Sequence, residues 1–147
     1  TCVYFATDHA PFPEPLLVLN GTGRGLVNHV CVPSNVAPLY APEGQSLISV
    51  NIVGSPHTDD VTLLEAVLKE MSVWFGQSVQ QWRHLRTYHI EHALPDQAPP
   101  ALSPPQRPER LTHAIFIAGD YRDNASIHGA LVSGQRAAVS LVRFLAP

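Results

Sequence analysis

Pro95, Pro99, Pro100, Pro104, Pro105 and Pro108 crowd one stretch of the chain. Proline donates no backbone hydrogen bond and forces the residue before it into an extended conformation. No helix can run through such a stretch, and no central strand can use it. It is therefore either a long ordered crossover or a flexible interdomain linker. The 147 residues make one domain's worth of chain or a piece of a larger one. A chain of this size buries roughly 68% of its unfolded surface, enough for a core without disulfide staples.

Composition removes several function classes. Apolar residues make up 45% of the chain and charged residues 14%, which excludes a disordered charged tail. Nine Lys and Arg stand against twelve Asp and Glu, a net charge of -3. A general binder of phosphate backbones needs the opposite sign, so no nucleic-acid partner is expected. No run approaches ~18 consecutive apolar residues, so no transmembrane segment is expected. Cys2 and Cys31 are too few for a disulfide framework and lack metal-finger spacing. No charged and apolar leader is visible at the start, and a cytoplasmic location is the expectation. A strand pattern begins at Thr1 itself, which suggests a chain cut from something longer; a trimmed chain with an ordered first strand is the other reading.

Hydrophobic period then places the elements. Residues 1–7 alternate as a strand, and Asp8 to Pro15 read as a loop. Leu16 to Asn20, a glycine turn at Gly21-Thr-Gly-Arg-Gly25, and Leu26 to Pro33 read as a hairpin. Ser46 to Val53 is a fourth strand. Strands in a row with short connections imply an antiparallel sheet. From Asp59 to Phe75 the period changes. Leu63, Leu64, Val67, Leu68, Met71, Trp74 and Phe75 share one helical face, with Thr58, Asp59 or Asp60 as the cap and Gly76 as the stop. Gln81 to Leu94 alternates as one long strand. Ala114 to Ala118 is continuously apolar, the pattern of a short strand buried on both faces. Ser126 to Leu145 reads as a helix capped by Ser126 or Asn124. Its apolar face is Ile127, Ala130, Leu131, Ala138, Leu141, Val142 and Leu145.

The segment strand, Gly119-Asp120, loop, Ser126, helix carries the chemistry. A helix start leaves backbone N–H groups unpaired at the positive end of the macrodipole, where a negative or polarised group can dock. An acid at the end of the preceding strand can accept from hydroxyls. Small residues at Gly129 and Ala130 leave room for a flat ring near the backbone. A βα unit with a capped helix and no ligand is the plainer reading of the same residues.

Ile115-Phe-Ile-Ala-Gly-Asp-Tyr121, followed by Ser126-Ile-His-Gly-Ala-Leu-Val-Ser-Gly-Gln-Arg-Ala-Ala138, resembles the C-terminal FAD-binding motif of the flavin-containing amine oxidase superfamily. The resemblance points to its phytoene desaturase and protoporphyrinogen oxidase branches. Trp82 and Tyr88-His-Ile-Glu-His-Ala-Leu-Pro95 resemble the segment that leads there from the substrate domain back to the FAD domain. The resemblance implies FAD-dependent oxidation by hydride or equivalent transfer from an apolar substrate, such as a carotenoid or other isoprenoid, to flavin N5. It implies that Gly119, Asp120, Ser126, Ile127, His128, Gly129 and Ala130 hold the cofactor. In that scheme Asp120 bonds the ribityl or pyrophosphate part, and the amides near Ile127 and His128 face the pyrimidine edge of the ring. Arg136 reads as a surface or ion-pair residue, and Tyr88 and Trp82 as candidates for a wall between substrate and flavin.

One departure from that family is large. Its N-terminal βαβ unit with Gly-x-Gly-x-x-Gly is missing, and Gly21 to Gly25 has neither the spacing nor the following helix. The expectation is a C-terminal fragment of an FAD-dependent oxidoreductase that does not retain FAD alone and is inactive without its dinucleotide-binding unit. The alternative is a non-catalytic binding or dimerisation module derived from that fold, self-associating through an exposed apolar face. The expected fold is α+β, with an antiparallel substrate-domain-like sheet packed on a helix and a C-terminal strand–helix unit. Residues 1–94 form the sheet and helix, 95–113 the proline-rich connection, and 114–147 part of the FAD-binding domain. Eight histidines invite a metal, but on a strand His89 and His92 point to opposite faces, so no metal ligands are assigned. Ser126, His128 and Asp120 form a hydrolase inventory without a Gly-x-Ser-x-Gly elbow.

Overall fold

A computed structural model describes residues 1–146. The chain forms two compact units, Thr1–Glu91 and a second from His92 onward. The first contains strands β1 (Cys2–Thr7), β2 (Leu17–Leu19) and β3 (Val27–Cys31), a single helical turn α1 (Pro33–Val36), strand β4 (Ser46–Ile52), helix α2 (Asp60–Phe75) and strand β5 (Arg83–Tyr88). The second contains helix α3 (Ile127–Leu145).

The five strands form one sheet in the order β2-β3-β4-β1-β5, with every neighbouring pair antiparallel. Side chains alternate across a strand. Phe5 and Val3 of β1, Val30 of β3 and Ile48 and Val50 of β4 therefore share one face, and all are fully buried. Helix α2 covers that face with Leu63, Val67 and Met71, one turn apart, while Leu64, Leu68, Trp74 and Phe75 pack at the margin. Each such burial contributes roughly 1.5–3 kcal/mol. The helix begins where expected. Asp59 Oδ1 accepts from the amides of Val61 and Thr62, both at 3.0 Å. It stops at Gly76, whose φ of +69° suits a residue without a Cβ.

The hairpin turn is closed from two sides. Asn20 Nδ2 donates to the carbonyls of Arg24 and Val27 at 2.7 and 2.8 Å. Glu70, from α2, accepts from the Leu26 amide at 2.8 Å. Gly25, at φ +91°, lies so close to the Glu70 carboxylate that a Cβ would meet it.

Two expectations need correction. The strand expected over 81–94 is only Arg83–Tyr88, preceded by a 3-10 turn over Gly76–Gln81. Its ladder with β1 ends at the pair Cys2–Tyr88, so the chain has no strand to pair with beyond that point. The strand expected over 114–118 is reduced to one bridge, Arg110 to Phe116. Only residues 109–111 lie alongside it, through Leu111 N to Ile115 O and Ile117 N to Glu109 O, and Ile115 is exposed. A strand buried on both faces needs a packed layer over each, and here Ala114, Ile115 and Ala118 are exposed. Helix α3 forms where the period placed it, with Ser126 of the two candidates as its cap, and its apolar face is exposed. Ile127, Leu131, Val142 and Leu145 are exposed, and the covered side carries Gly129 and Ser133.

Candidate functional site

In the second unit, α3 organises the loop before it. Ser126 Oγ accepts from the Gly129 amide at 3.0 Å, and the Ser126 carbonyl accepts from Ala130 at 3.0 Å. Among the described residues the amides of Ile127 and His128 have no acceptor, and both residues are exposed. Two donors at the positive end of a nineteen-residue helix are therefore without a protein partner among the described residues. Asp120 Oδ1 accepts from the Tyr121 amide at 2.8 Å, which leaves its second oxygen free. Gly119, at φ +155°, has a backbone that side-chain-bearing residues rarely adopt. Its amide donates to the buried Ser133 Oγ at 3.2 Å.

Gly129 plays a different part from the one its size suggested. A Cβ there would lie 2.0 Å from the Asn124 carbonyl oxygen, so the space beside it is filled by the chain's own loop. Its missing side chain lets residues 124–126 close onto the helix start. Ser126 is held in turn by donating to Asn124 Oδ1.

Arg136 anchors this loop from the middle of α3. Its Nη1 donates to Asp123 Oδ2 at 2.7 Å and its Nη2 to the Arg122 carbonyl at 2.9 Å. Asp123 is buried, and its other oxygen accepts from Asn124 Nδ2 at 3.0 Å. A chain of contacts thus runs from Arg136 through Asp123 and Asn124 to the cap. Of the two roles anticipated for it, Arg136 takes the ion pair. Asp123 and Ser133 carried no signal in the sequence, because nothing in a loop acid or a helical serine announces a partner thirteen or fourteen residues away. Beside this network, the Glu109 carboxyl is held below the usual carboxylate range by its own backbone amide, the Ser140 hydroxyl and the charges of Arg136 and Arg122.

In the first unit, the sheet face opposite α2 carries an open groove of about 660 Å³. Cys2, Tyr4, Leu47, Asn51, Leu85, Arg86, Tyr88 and Ile90 line it. Tyr4 and Tyr88 meet edge to face with centroids 5.9 Å apart, and the Arg86 guanidinium lies 5.2 Å from the centre of the Tyr88 ring. Tyr88 is thus a groove residue. Trp82 is not; it is buried in the core against Phe5 and Phe75 at 5.5 and 5.8 Å, so its candidacy as a substrate wall is withdrawn. Sequence reasoning missed the rest of the groove. The available signal was β1, whose residues are apolar or aromatic at both odd and even positions.

Some of the histidines in the first unit have side-chain partners. His84 packs on Phe5, and His89 Nε2 lies 2.7 Å from Asp60 Oδ1. Among the described residues no three His, Cys, Asp or Glu side chains gather as a metal site, and no helix is long and apolar enough to cross a membrane.

An antiparallel sheet backed by a helix, followed by a Gly-Asp loop and a capped helix, is a mixed α+β fold. The model of the flavin containing amine oxidoreductase family matches residues 1–142, and the chain belongs to that family. Two solved structures are similar to it. The PF1083 protein from Pyrococcus furiosus has a TM-score of 0.59 and 16% identity, covering 96% of this chain and 31% of that one. An oxidoreductase from Methanosarcina mazei has a TM-score of 0.58 and 16% identity, covering 94% of this chain and 33% of its own. The chain spans about a third of the length of each. No curated protein matches it.

The family implies FAD, and the residues present fit such a group. Unpaired amides at Ile127 and His128 and a second oxygen on Asp120 are donors and an acceptor suited to a large polar ring system, while the space beside Gly119 is taken by the Tyr121 ring.

Proposed function

We propose that this chain is the C-terminal part of an FAD-dependent oxidoreductase of desaturase-like character, acting on an apolar small molecule. The observation that carries the reading is the exposed start of α3, with two unpaired amides in the same unit as Gly119 and Asp120, in a chain of a flavin family. Residues 1–94 supply a substrate-domain sheet, 95–113 a connection, and 114–147 part of the flavin cradle. FAD, when bound, supplies the acceptor for a hydride equivalent. This chain's own residues bind and orient it. Asp120 accepts from hydroxyls of the ribityl or pyrophosphate portion. The amides of Ile127 and His128 stabilise negative charge on the pyrimidine edge, as a helix N-terminus does. Ser126, Gly129 and Ala130 shape the helix start that presents those amides. The apolar substrate lies in the groove beside Tyr4 and Tyr88.

Retention of FAD by this chain alone is expected to be weak, because the Gly-x-Gly-x-x-Gly unit that grips the ADP half in dinucleotide folds is not in its sequence. Asp120→Ala, made in the longer protein, tests the cradle. Loss of visible absorbance from the purified protein is the expected outcome, and unchanged flavin content would refute the role given to Asp120. A second reading, a non-catalytic module that self-associates, draws support from the exposed apolar face of α3.

A further inference from the structure

The groove on the open face of the sheet carries a single charged side chain. Arg86 is exposed on the edge strand β5, and among the described residues no carboxylate lies within salt-bridge distance of it. The guanidinium is held 5.2 Å from the centre of the Tyr88 ring, within the range of a cation–π contact. A guanidinium settled on a ring face keeps its N–H edge available for a planar oxyanion, which it grips with two parallel hydrogen bonds. Tyr4, Leu47, Leu85 and Ile90 supply apolar surface around it, and the volume of about 660 Å³ lies within the range of small-molecule sites. Nothing in the lining opposes the charge. The Tyr4 hydroxyl stays protonated well past neutrality, because its hydrogen bond with Cys2 and then its burial raise its pKa.

We propose that this groove takes an apolar small molecule bearing one anionic oxygen group, a carboxylate or a phosphate, with Arg86 as its anchor. It disfavours amines, since an ammonium beside the guanidinium meets a like charge with no carboxylate to offset it. The assignment rests on reading the groove as the substrate site, yet it is measurable without flavin. Arg86 is a binding residue here, and the chemistry of oxidation does not pass through it.

Isothermal titration of the 147-residue chain, at concentrations below micelle formation, compares dodecanoate, dodecyl phosphate, dodecanol and dodecylamine. The acids are expected to bind at least about tenfold tighter than the alcohol, the ratio that one charge-assisted contact supplies, with the amine weakest. Arg86→Gln is expected to bring both acids down to the affinity of the alcohol while leaving the alcohol unchanged, which also reports that the sheet is intact. The order of dodecanoate and dodecyl phosphate identifies which oxyanion the anchor prefers. Equal binding of acid and alcohol, no binding of any of the four, or acid binding untouched by Arg86→Gln overturns the proposal. Failure here leaves the Asp120 result on flavin content standing, and failure there leaves these titrations readable.

Discussion

Two glycines on one helix make opposite demands. Gly129 faces the Asn124 carbonyl with no room for a Cβ, whereas Gly134 has nothing within 4 Å of where a Cβ would sit. Gly129→Ala should therefore destabilise the second unit by about 1–3 kcal/mol through overpacking. Gly134→Ala should stabilise it by about 0.8–1 kcal/mol through helix propensity. Urea midpoints of the two variants check both signs; the same sign for both would refute the packing given to Gly129. Arg136 and Asp123 form a hydrogen-bonded pair of which the acid is the more buried, at 11% side-chain exposure against 24%. Removing the arginine strands that acid. Arg136→Ala should cost about 3 kcal/mol, and a double-mutant cycle with Asp123→Ala should return most of it. Additive single effects would show that the pair does not hold the loop.

At the scale of elements, α2 is the best specified part of the chain, because its period, cap and stop agree. The Asp59 carboxyl is held below the usual aspartate range by the Thr62 amide first and the Thr62 hydroxyl next. A carboxyl depressed in the folded state stabilises at neutral pH and loses that contribution as pH falls from the unfolded value through the folded one. Asp59→Ala should therefore lower the unfolding midpoint at neutral pH and flatten its acid-side decline, as read from denaturant curves across a pH series. Identical pH profiles for both proteins would remove the cap from the account. Helix α3 was equally legible as a helix but not in its burial. Periodicity gives the face that is apolar; whether that face is covered depends on what else packs there. The 114–118 segment failed for a related reason, since apolar character favours burial without supplying the layers that would bury it.

The whole molecule displays the consequence. Leu131, Val142 and Leu145 lie exposed on α3, at 68%, 67% and 69%. An apolar stripe of this kind is expected to drive self-association of the 147-residue chain. Light scattering should give a mass above the monomer that rises with concentration, and Leu131→Glu with Val142→Glu should bring it back toward one chain. A wild-type monomer at high concentration would sink the expectation.

Sequence alone determined the antiparallel sheet, helix α2 with its stop at Gly76, the position of α3, and the family, because these rest on local period, turn chemistry and a contiguous motif; it left each helix more than one candidate cap, between which the structure chose Asp59 and Ser126. Contacts between distant positions were decided only in three dimensions. Ser133 reaching Gly119, Arg136 reaching Asp123, Trp82 turning into the core and Arg86 facing a groove with Tyr4 all depend on which residues the fold brings together. Period says which way a side chain points along its own element, but the identity of what it meets is a property of the packed chain.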